Sequence, residues 1–346
     1  MMKTKLHLIS CIALLLLIIV IELTVMLSFN DGHFVYTLDD SYIHMALAQN
    51  IRQGHYRLNM SEYSSPASSI IWPFMLVPFA DFELFPFILN IIFGLFAMAV
   101  FSKILDVSIP MERNRHRDIF LSLLMALFIV ASNLTGLIFM GMEHTLQLLC
   151  VLLIALGMID LAQKDIVRKW LPWVIAFAPL VRYENLGISA AAILLLLMSR
   201  KWIYAILPAL GIAILVGGFS LFLHNLGLSA MPASVNAKSG IVSGAGKLAP
   251  ILLNLRCSLE DKRGVCLISI MCWLVGYFLL SKNRSLQPLA LAASAALLLH
   301  LVFGKYDWYN RYEIYIWIFS IAISINLLGK RLAKTVGNKG KGLARI

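Results

Sequence analysis

The stretch MMKTKLHLISCIALLLLIIVIELTVMLSF (residues 1–29) opens the sequence with a short basic lead and a long apolar run. A helix needs about 20 consecutive apolar residues to cross the hydrocarbon core of a bilayer, and this run is long enough. No small-residue cleavage site follows it, so we expect an uncleaved signal anchor rather than a signal peptide that is removed. Similar runs recur along the chain, which predicts a membrane protein.

The composition of the whole chain supports this prediction. Of the 346 residues, 60% are hydrophobic and 14% are charged, whereas soluble domains are about 45–50% apolar and about 25% charged. Strands cross membranes only as closed barrels, whose sequences alternate at every second residue, and these runs do not alternate. The predicted fold class is therefore an all-α polytopic membrane protein.

The lengths of the apolar runs predict a bundle of about 11 transmembrane helices. The runs 70–80 and 249–255 are too short to cross, and we expect the first to be a juxtamembrane or re-entrant segment. Ten of these spans have clear bounds in the sequence, at about 7–28, 84–105, 118–138, 143–162, 170–181, 185–199, 202–223, 264–280, 286–303 and 311–328.

The basic residues predict which loops face the cytoplasm. The formal net charge is +11, and Lys and Arg cluster in short loops and at both ends, as the positive-inside bias and attraction to anionic lipid headgroups require. No basic groove interleaved with aromatic residues indicates a nucleic-acid partner. The basic segments are the N-terminus, 111–118, 163–170, 199–202, 281–285 and the tail from Gly329.

This topology predicts one integral membrane domain over residues 1–328 and a basic cytoplasmic tail at 329–346. Both termini lie in the cytoplasm. The first external loop, at 29–83, is enlarged and carries juxtamembrane helices, and a second external loop covers 224–263.

The stretch YTLDDSYIHMALAQNIRQGHY (36–56) places two adjacent acids just beyond the first span. An apolar residue recurs at every fourth position from Ile43 to Ile51, which predicts an amphipathic helix. Either Asp39 or Asp40 would suit its N-terminal cap. A cap explains only one of the two acids, so a plain cap and a chemical role both stay open.

Other polar residues also fall on the external side, where ionisable groups near membrane depth are candidates for function. Glu143 and His144 precede a span and would otherwise be first-turn or capping residues. Arg182 and Glu184 either pair with each other or present the planar guanidinium to a phosphate. The external set is Asp39, Asp40, His44, Glu62, Tyr63, Glu143, His144, Arg182, Glu184, Asn236, Lys238, Lys305, Asp307, Tyr309 and Arg311.

Cysteine and histidine spacing indicates no metal site, and we predict none from it. None of the five cysteines forms a C-x-x-C pair, although Cys257 and Cys266 flank one loop and would allow a disulfide. Walker and dinucleotide motifs are also absent from the sequence.

Five short motifs, in the same order, resemble those of bacterial GT-C glycosyltransferases. The closest likeness is to the group of the mycobacterial terminal β-arabinofuranosyltransferase and the pilin glycosyltransferases. Tyr183 and Asn185 stand where those enzymes have Pro and Gly, and Glu313 and Tyr315 stand where apolar residues or Pro are usual. The motifs are LDDSYIHMALAQNIRQGHYRLN (38–59) with YSSPASSIIWPFML (63–76), GMEHTLQLL (141–149), VRYENLG (181–187), MPASVNAKSG (231–240) and DWYNRYEIYIWI (307–318).

The resemblance implies an inverting glycosyltransferase of the bacterial inner membrane with a periplasmic active site. It would move a sugar, for example the pentofuranose arabinofuranose, from a polyprenyl-phosphate donor to an envelope glycan or glycoprotein. A positioned carboxylate suits the general base, and the resemblance favours Asp39, with Asp40 orienting it or holding the acceptor. Some enzymes of this class use a divalent cation, so such a cofactor stays open.

The resemblance also implies roles for the remaining polar residues. Arg182, Lys238 and Arg311 are the candidates for binding the donor phosphate, where cations stabilise the charge of the leaving group. The candidates for binding or orienting sugar and acceptor are Glu143, His144, Glu184, Asn236, Tyr63, Asp307 and Tyr309.

The alternative is a polytopic transporter or a lipid-linked-sugar flippase of envelope polysaccharide assembly. A flippase should place charged residues along a path that reaches both faces, whereas here the non-basic polar residues gather on one side. A noncatalytic subunit of an envelope-assembly complex is a third interpretation.

Overall fold

The computed structural model describes residues 6–59, 62–233, 249–305 and 311–343, and all regular elements in these ranges are helices. The all-α prediction is confirmed for this part of the chain. The helices are α1 (Leu6–Phe29), α2 (Asp40–Arg52), α3 (Ile71–Leu76) with a 3-10 turn at Val77–Phe79, α4 (Phe85–Ser108), α5 (Arg115–Ala131), α6 (Leu134–Phe139), α7 (His144–Lys164), α8 (Leu171–Val181), α9 (Asn185–Met198), α10 (Trp202–Asn225), α11 (Ala249–Glu260), α12 (Lys262–Leu280), α13 (Gln287–Phe303) and α14 (Ile314–Leu343).

Six helices in the described ranges are long and apolar enough to cross a membrane, namely α1, α4, α7, α10, α12 and the part of α14 from Ile314 to Thr335. These helices indicate a multi-pass membrane protein. The predicted count of about 11 is not confirmed. Helices α8, α9 and α13 have 11, 14 and 17 residues, so at 1.5 Å per residue they extend only about 16, 21 and 26 Å, less than the roughly 30 Å core.

The predicted spans otherwise begin and end close to the observed helices, with two instructive differences. The run 118–138 is split between α5 and α6, because Asn133 adopts the left-handed conformation with φ 46°, which asparagine tolerates better than most residues. The last helix continues beyond the predicted end at residue 328 to Leu343. The suggested disulfide is not formed, since Cys257 and Cys266 are free and exposed.

Helix α7 forms the centre of the bundle. It packs against α4, α8, α9 and α14, and 83% of its most apolar window is buried, against 17% for α1 and 11% for α10. The outer helices leave large apolar side chains exposed, such as Val20 and Ile214. Exposed apolar faces on long helices are the expected surface toward lipid chains.

The connections sort the polar residues to two ends of the bundle. At one end, the loop before α2 meets the end of α6 through a hydrogen bond from Thr37 N to Phe139 O (3.3 Å). At the other end, Arg117 at the start of α5 pairs with Asp106 near the end of α4 (2.6 Å). The α4 residues Asn90 and Asp106 mark these ends, and their separation of 16 positions along the helix corresponds to about 24 Å.

Candidate functional site

The two adjacent acids lie at the start of α2 and have different surroundings. Asp39 is exposed and occupies the N-cap position, but its side chain makes no capping hydrogen bond. Asp40, the first residue of α2, is about one-third exposed, and its Oδ2 accepts a hydrogen bond from Nη1 of Arg311 at 2.7 Å. In the described part of the chain, the side chain of Asp39 therefore makes no capping contact, and that of Asp40 pairs with Arg311 instead.

Arg311 joins the first loop to the start of α14 across 271 residues of sequence. Its side chain is buried. Besides Asp40, its Nη1 lies 3.1 Å from Sδ of Met142, and its Nη2 donates to the hydroxyl of Tyr312 at 3.1 Å. A buried cation is thus held directly beneath a partly exposed carboxylate.

A second buried cation, Arg182, lies at the corner between α8 and α9. Its Nη1 donates to Oε1 of Glu143 at 2.8 Å, and its Nη2 and Nε donate to the two oxygens of Glu184 at 2.7 and 3.2 Å. Burial alone would lower the pKa of Arg182, but the carboxylates of Glu184 and Glu143 outweigh it and raise the pKa above its ordinary value. The pairing of Arg182 with Glu184 that the sequence left open is formed.

Glu143 connects this second cation back to α2. It is fully buried, its Oε1 also accepts a hydrogen bond from the hydroxyl of Ser68 at 3.2 Å, and its Oε2 lies 3.7 Å from Nε2 of His44. His44 lies four residues after Asp40, so both side chains lie on one face of α2. Asp40 and His44 therefore attach two successive turns of α2 to the bundle.

The ring of Tyr312 lies between the two cations. Its centroid is 5.0 Å from the guanidinium carbon of Arg311 and 5.8 Å from that of Arg182. Both distances fall within the range of cation–π attraction. The contacts run from Asp40 through Arg311, Tyr312 and Arg182 to Glu143, and His44 closes the circuit on α2; we call this set the polar circuit.

A set of buried hydrogen bonds between α7, α9 and α4 supports the polar circuit. His144 lies 3.3 Å from Nη1 of Arg182 through Nε2, and 3.3 Å from the amide oxygen of Gln147 through Nδ1. Gln147 in turn donates to Asn185 at 3.2 Å, and Asn185 donates to Ala178 O at 2.9 Å. The side chain of Thr145 donates to Asn90 on α4. Buried polar groups that are all partnered in this way hold a fixed arrangement.

The buried face of α2 differs from the predicted apolar stripe. The buried residues are Ser41, His44, Leu47 and Ala48, while Ile43 and Ile51 are only half-buried. The polar contacts cause this rotation, because the hydroxyl of Ser41 donates to the backbone oxygen of Met140 and His44 meets Glu143. A pattern of apolar residues alone does not reveal such polar anchors.

The backbone geometry and the close packing at the start of the motif GMEHTLQLL explain why this position is a glycine. Gly141 has φ +68°, and a Cβ added there would collide with the ring of Tyr36. Tyr36 is fixed in turn, because its hydroxyl donates to Glu83 O and accepts a hydrogen bond from Phe87 N. Gly141 therefore allows the first loop to pack directly against the residues that lead into Glu143.

Three residues that differ from the GT-C motifs are buried and contact neighbouring helices or loops. Tyr183 is buried in an apolar cluster with Leu47 and Tyr56, and burial raises its pKa to about 12. Glu313 is buried and pairs with Arg263 of α12 at 2.7 Å. The hydroxyl of Tyr315 lies 2.9 Å from Nδ1 of His300. These side chains connect helices at the same end of the bundle as the polar circuit.

An apolar cavity of about 420 Å³ opens beside the polar circuit, between α9 and α13. Glu184, Tyr183 and His300 form its polar end, and the exposed side chains of Leu186 and Phe303 lie at its outer end. It connects the carboxylate that holds Arg182 with the apolar surface of the bundle.

Most of the predicted site residues meet in this region. Asp39, Asp40, Glu143, His144, Arg182, Glu184 and Arg311 belong to the polar circuit or adjoin it, whereas Tyr63 is exposed on the first loop. Lys238, Asn236, Asp307 and Tyr309 lie outside the described residues. The sequence placed His44 among the external polar residues but gave it no role, and the contributions of Tyr312, Gln147 and Asn185 were missed. Across the parts of the chain that the structure describes, no group of three or more His, Cys, Asp or Glu side chains is placed to hold a metal ion.

Comparison of the chain with protein-family models, with curated proteins and with solved structures found no match. The likeness to GT-C glycosyltransferases accordingly rests on the five motifs, and the function is argued from the site.

Proposed function

We propose that this protein is an inverting glycosyltransferase that uses a polyprenyl-phosphate sugar, of the GT-C type. The observation that carries the proposal is the exposed Asp39 next to the Asp40–Arg311 ion pair, at one end of an apolar helical bundle. A free carboxylate supplies a base, a neighbouring cation suits a lipid phosphate, and the bundle gives a lipid substrate access. The transfer takes place at the periplasmic face of the bacterial inner membrane.

The proposed reaction is a single displacement. The acceptor hydroxyl of an envelope glycan or glycoprotein attacks the anomeric carbon from the face opposite the phosphate. As the new carbon–oxygen bond forms, the bond from that carbon to the phosphate oxygen breaks, and polyprenyl phosphate leaves with the electron pair. The acceptor proton passes to the carboxylate of Asp39, acting as a general base. The configuration of the sugar is inverted.

Of the proposed phosphate-binding cations, Arg311 has the better position. Arg182 already donates to two carboxylates, Glu143 and Glu184, so its charge is largely balanced. Arg311 pairs with one carboxylate in the described part of the chain, and that residue, Asp40, is partly exposed. We therefore assign Arg311 to the leaving phosphate and Arg182 to holding Glu143 and Glu184 in place.

The cavity between α9 and α13 suits the lipid part of the donor. Its walls are mostly apolar, its outer end lies on the bundle surface, and its inner end reaches Glu184. A polyprenyl chain placed there would bring its phosphate toward the polar circuit from within the bilayer. The sugar transferred is proposed to be a pentofuranose, such as arabinofuranose.

The transporter or flippase alternative has less support. In the central helix α7, the segment 148–159 contains no charged or polar side chain other than Cys150, and it separates Gln147 from Asp160. These 12 residues cover about 18 Å. A path for a charged headgroup through the bundle would therefore find no polar side chain other than Cys150 on this part of α7 and would have to follow other helices.

The experiment that tests the proposal replaces each acid by its amide in cells that express the protein. Asp39→Asn removes a charge, and within the described ranges it removes no side-chain hydrogen bond that holds α2, so loss of the glycan in this variant reports on chemistry. Asp40→Asn also breaks the ion pair with Arg311. The matched control is Asp31→Asn, an exposed acid on the same loop with φ 51°, a conformation that asparagine accepts.

We expect envelope glycan to be lost in Asp39→Asn and Asp40→Asn and kept in Asp31→Asn, with equal amounts of each protein in the membrane. Unchanged glycosylation in both Asp39→Asn and Asp40→Asn would rule out the proposed chemistry.

A further inference from the structure

A large cleft lies at the other end of the bundle from the polar circuit. It has a volume of about 890 Å³ and runs between the N-terminal parts of α1 and α5. On α1 its wall extends from Leu6 to Leu14, and on α5 from Arg115 to Ala126. At 1.5 Å per residue these walls are about 12 and 16 Å long, roughly one half of a 30 Å hydrocarbon core.

The cleft changes from charged to apolar along its length. Its mouth is formed by the exposed side chains of Arg113 and Arg115, and its apolar end by Leu14, Leu123 and Ala126. A phospholipid has the same order of chemistry, with a charged headgroup at one end and an acyl chain at the other. The cleft therefore matches a lipid better than a fully soluble anion.

A buried ionic cluster gives the mouth a fixed shape. Arg117 is buried, and its Nη2 donates to Asp106 at 2.6 Å while its Nη1 lies 3.7 Å from Asp118. His7 of α1 lies 2.9 Å from the hydroxyl of Ser102 and 3.9 Å from Asp118. These contacts engage both acids of the cleft wall, so that the two outer arginines present the charge that faces an incoming ligand.

The start of α5 adds to the positive potential at the mouth. Asn114 caps the helix by accepting a hydrogen bond from Arg117 N at 2.8 Å. The first turn of a helix carries positive partial charge and favours anions. Arg113 and Arg115 flank this cap on both sides in sequence, and neither forms an ion pair with the residues that the structure describes.

We propose that this cleft binds one anionic phospholipid, with its phosphate at Arg113 and Arg115 and an acyl chain between α1 and α5. The site is separate from the proposed transfer reaction and does not depend on it. The lipid would fill the cleft between α1 and α5 and so would fix α1 against the bundle.

Native mass spectrometry of the full-length protein in detergent tests the proposal. The probes are phosphatidylglycerol, zwitterionic phosphatidylcholine, and glycerol 3-phosphate as a soluble anion without chains. The variant that removes the charge at the mouth is Arg113→Gln with Arg115→Gln. Its charge-matched control is Lys282→Gln with Arg284→Gln, which removes two exposed cations from another basic loop. The variant that blocks the acyl chain is Ala126→Phe, which fills the apolar end of the cleft.

We expect one phosphatidylglycerol to bind per protein. Loss of both arginines should weaken its affinity about thirtyfold, because a cation near an anionic headgroup contributes about 1 kcal/mol. Binding should also fall in Ala126→Phe and stay unchanged in the control. The proposal would be overturned if the Lys282 and Arg284 control weakened binding as much as the loss of Arg113 and Arg115 does. It would also be overturned if Ala126→Phe bound phosphatidylglycerol fully, or if glycerol 3-phosphate or phosphatidylcholine bound as well as phosphatidylglycerol.

Discussion

Two adjacent acids with different contacts are the centre of the proposed site. The carboxylate of Asp40 forms an ion pair with Arg311, whereas Asp39 is exposed and its side chain makes no capping hydrogen bond. A base needs an accessible carboxylate within reach of its substrate, and an orienting residue needs a fixed partner. The assignment of Asp39 as base and Asp40 as orienting residue follows from this difference.

Arg182 should be far more important for stability than an exposed arginine. Replacing it by glutamine, Arg182→Gln, leaves Glu143 and Glu184 without their cation, and removing one partner of a buried pair costs roughly 3–5 kcal/mol. The matched control is Arg256→Gln, whose pair with Glu260 is exposed to solvent and therefore contributes little to stability.

Thermal unfolding of both purified variants in the same detergent measures the difference. We expect a much lower midpoint for Arg182→Gln and almost no change for Arg256→Gln. Equal midpoints would mean that the buried pair does not hold the corner between α8 and α9.

Gly141 should tolerate no side chain. In Gly141→Ala the new methyl group collides with Tyr36, and φ +68° is unfavourable for alanine. We expect loss of stability and of glycosylation together. The control, Gly218→Ala in α10, meets no atom within 4 Å and should be neutral or slightly stabilising, because alanine is the better helix former. If the two variants have equal stability in thermal unfolding, the packing of Tyr36 on Gly141 is not the reason for this glycine.

At the scale of elements, α2 is held by polar contacts in two successive turns. Asp40 meets Arg311 and His44 meets Glu143. The double variant Asp40→Asn with His44→Gln should therefore loosen α2 while the long helices stay intact. Hydrogen exchange measures this: the amides of residues 40–52 should exchange about tenfold faster or more, since buried polar contacts of this kind contribute about 1–3 kcal/mol.

Arg52→Gln provides the comparison for this experiment, because Arg52 leaves α2 on its exposed side to pair with Asp81. Its exchange should match that of the unchanged protein. Faster exchange in Arg52→Gln than in the double variant would show that α2 is held from its outer face.

The sequence predicted the elements better than their contacts. Long apolar runs indicate helices directly, so α1, α4, α7 and α10 begin and end within a few residues of the predicted spans. The break at Asn133 was not predictable, because a left-handed residue inside an apolar run depends on packing. The rotation of α2 was missed for a related reason, since its buried face is set by Ser41 and His44.

At the scale of the whole molecule, the external placement of the polar circuit is a prediction of the charge map. Single cysteines at exposed positions test it, in a variant whose five native cysteines are replaced by alanine. Asp31→Cys should react with a membrane-impermeant maleimide added to intact spheroplasts, and Lys282→Cys only after lysis. Reaction of both from the same side, or the reverse order, would contradict the predicted topology.

The gathering of the candidate residues could be predicted only in part. The charge map placed Asp40, Glu143, Arg182 and Arg311 on one side of the membrane, and the structure brings these four into one connected set. A single sequence could not show that Arg311 pairs with Asp40 across 271 residues, or that Arg182 is shared by two carboxylates. Such contacts arise from helix packing, which the pattern of one helix does not contain.

The most direct measurement of the proposed function is mass analysis of envelope glycans and lipid-phosphate sugars from cells with and without the protein. We expect cells without it to lose one kind of sugar residue from an envelope glycan or glycoprotein and to accumulate the matching polyprenyl-phosphate sugar. An unchanged set of glycans, with no accumulated lipid-phosphate sugar, would contradict the assignment of this protein as a glycosyltransferase.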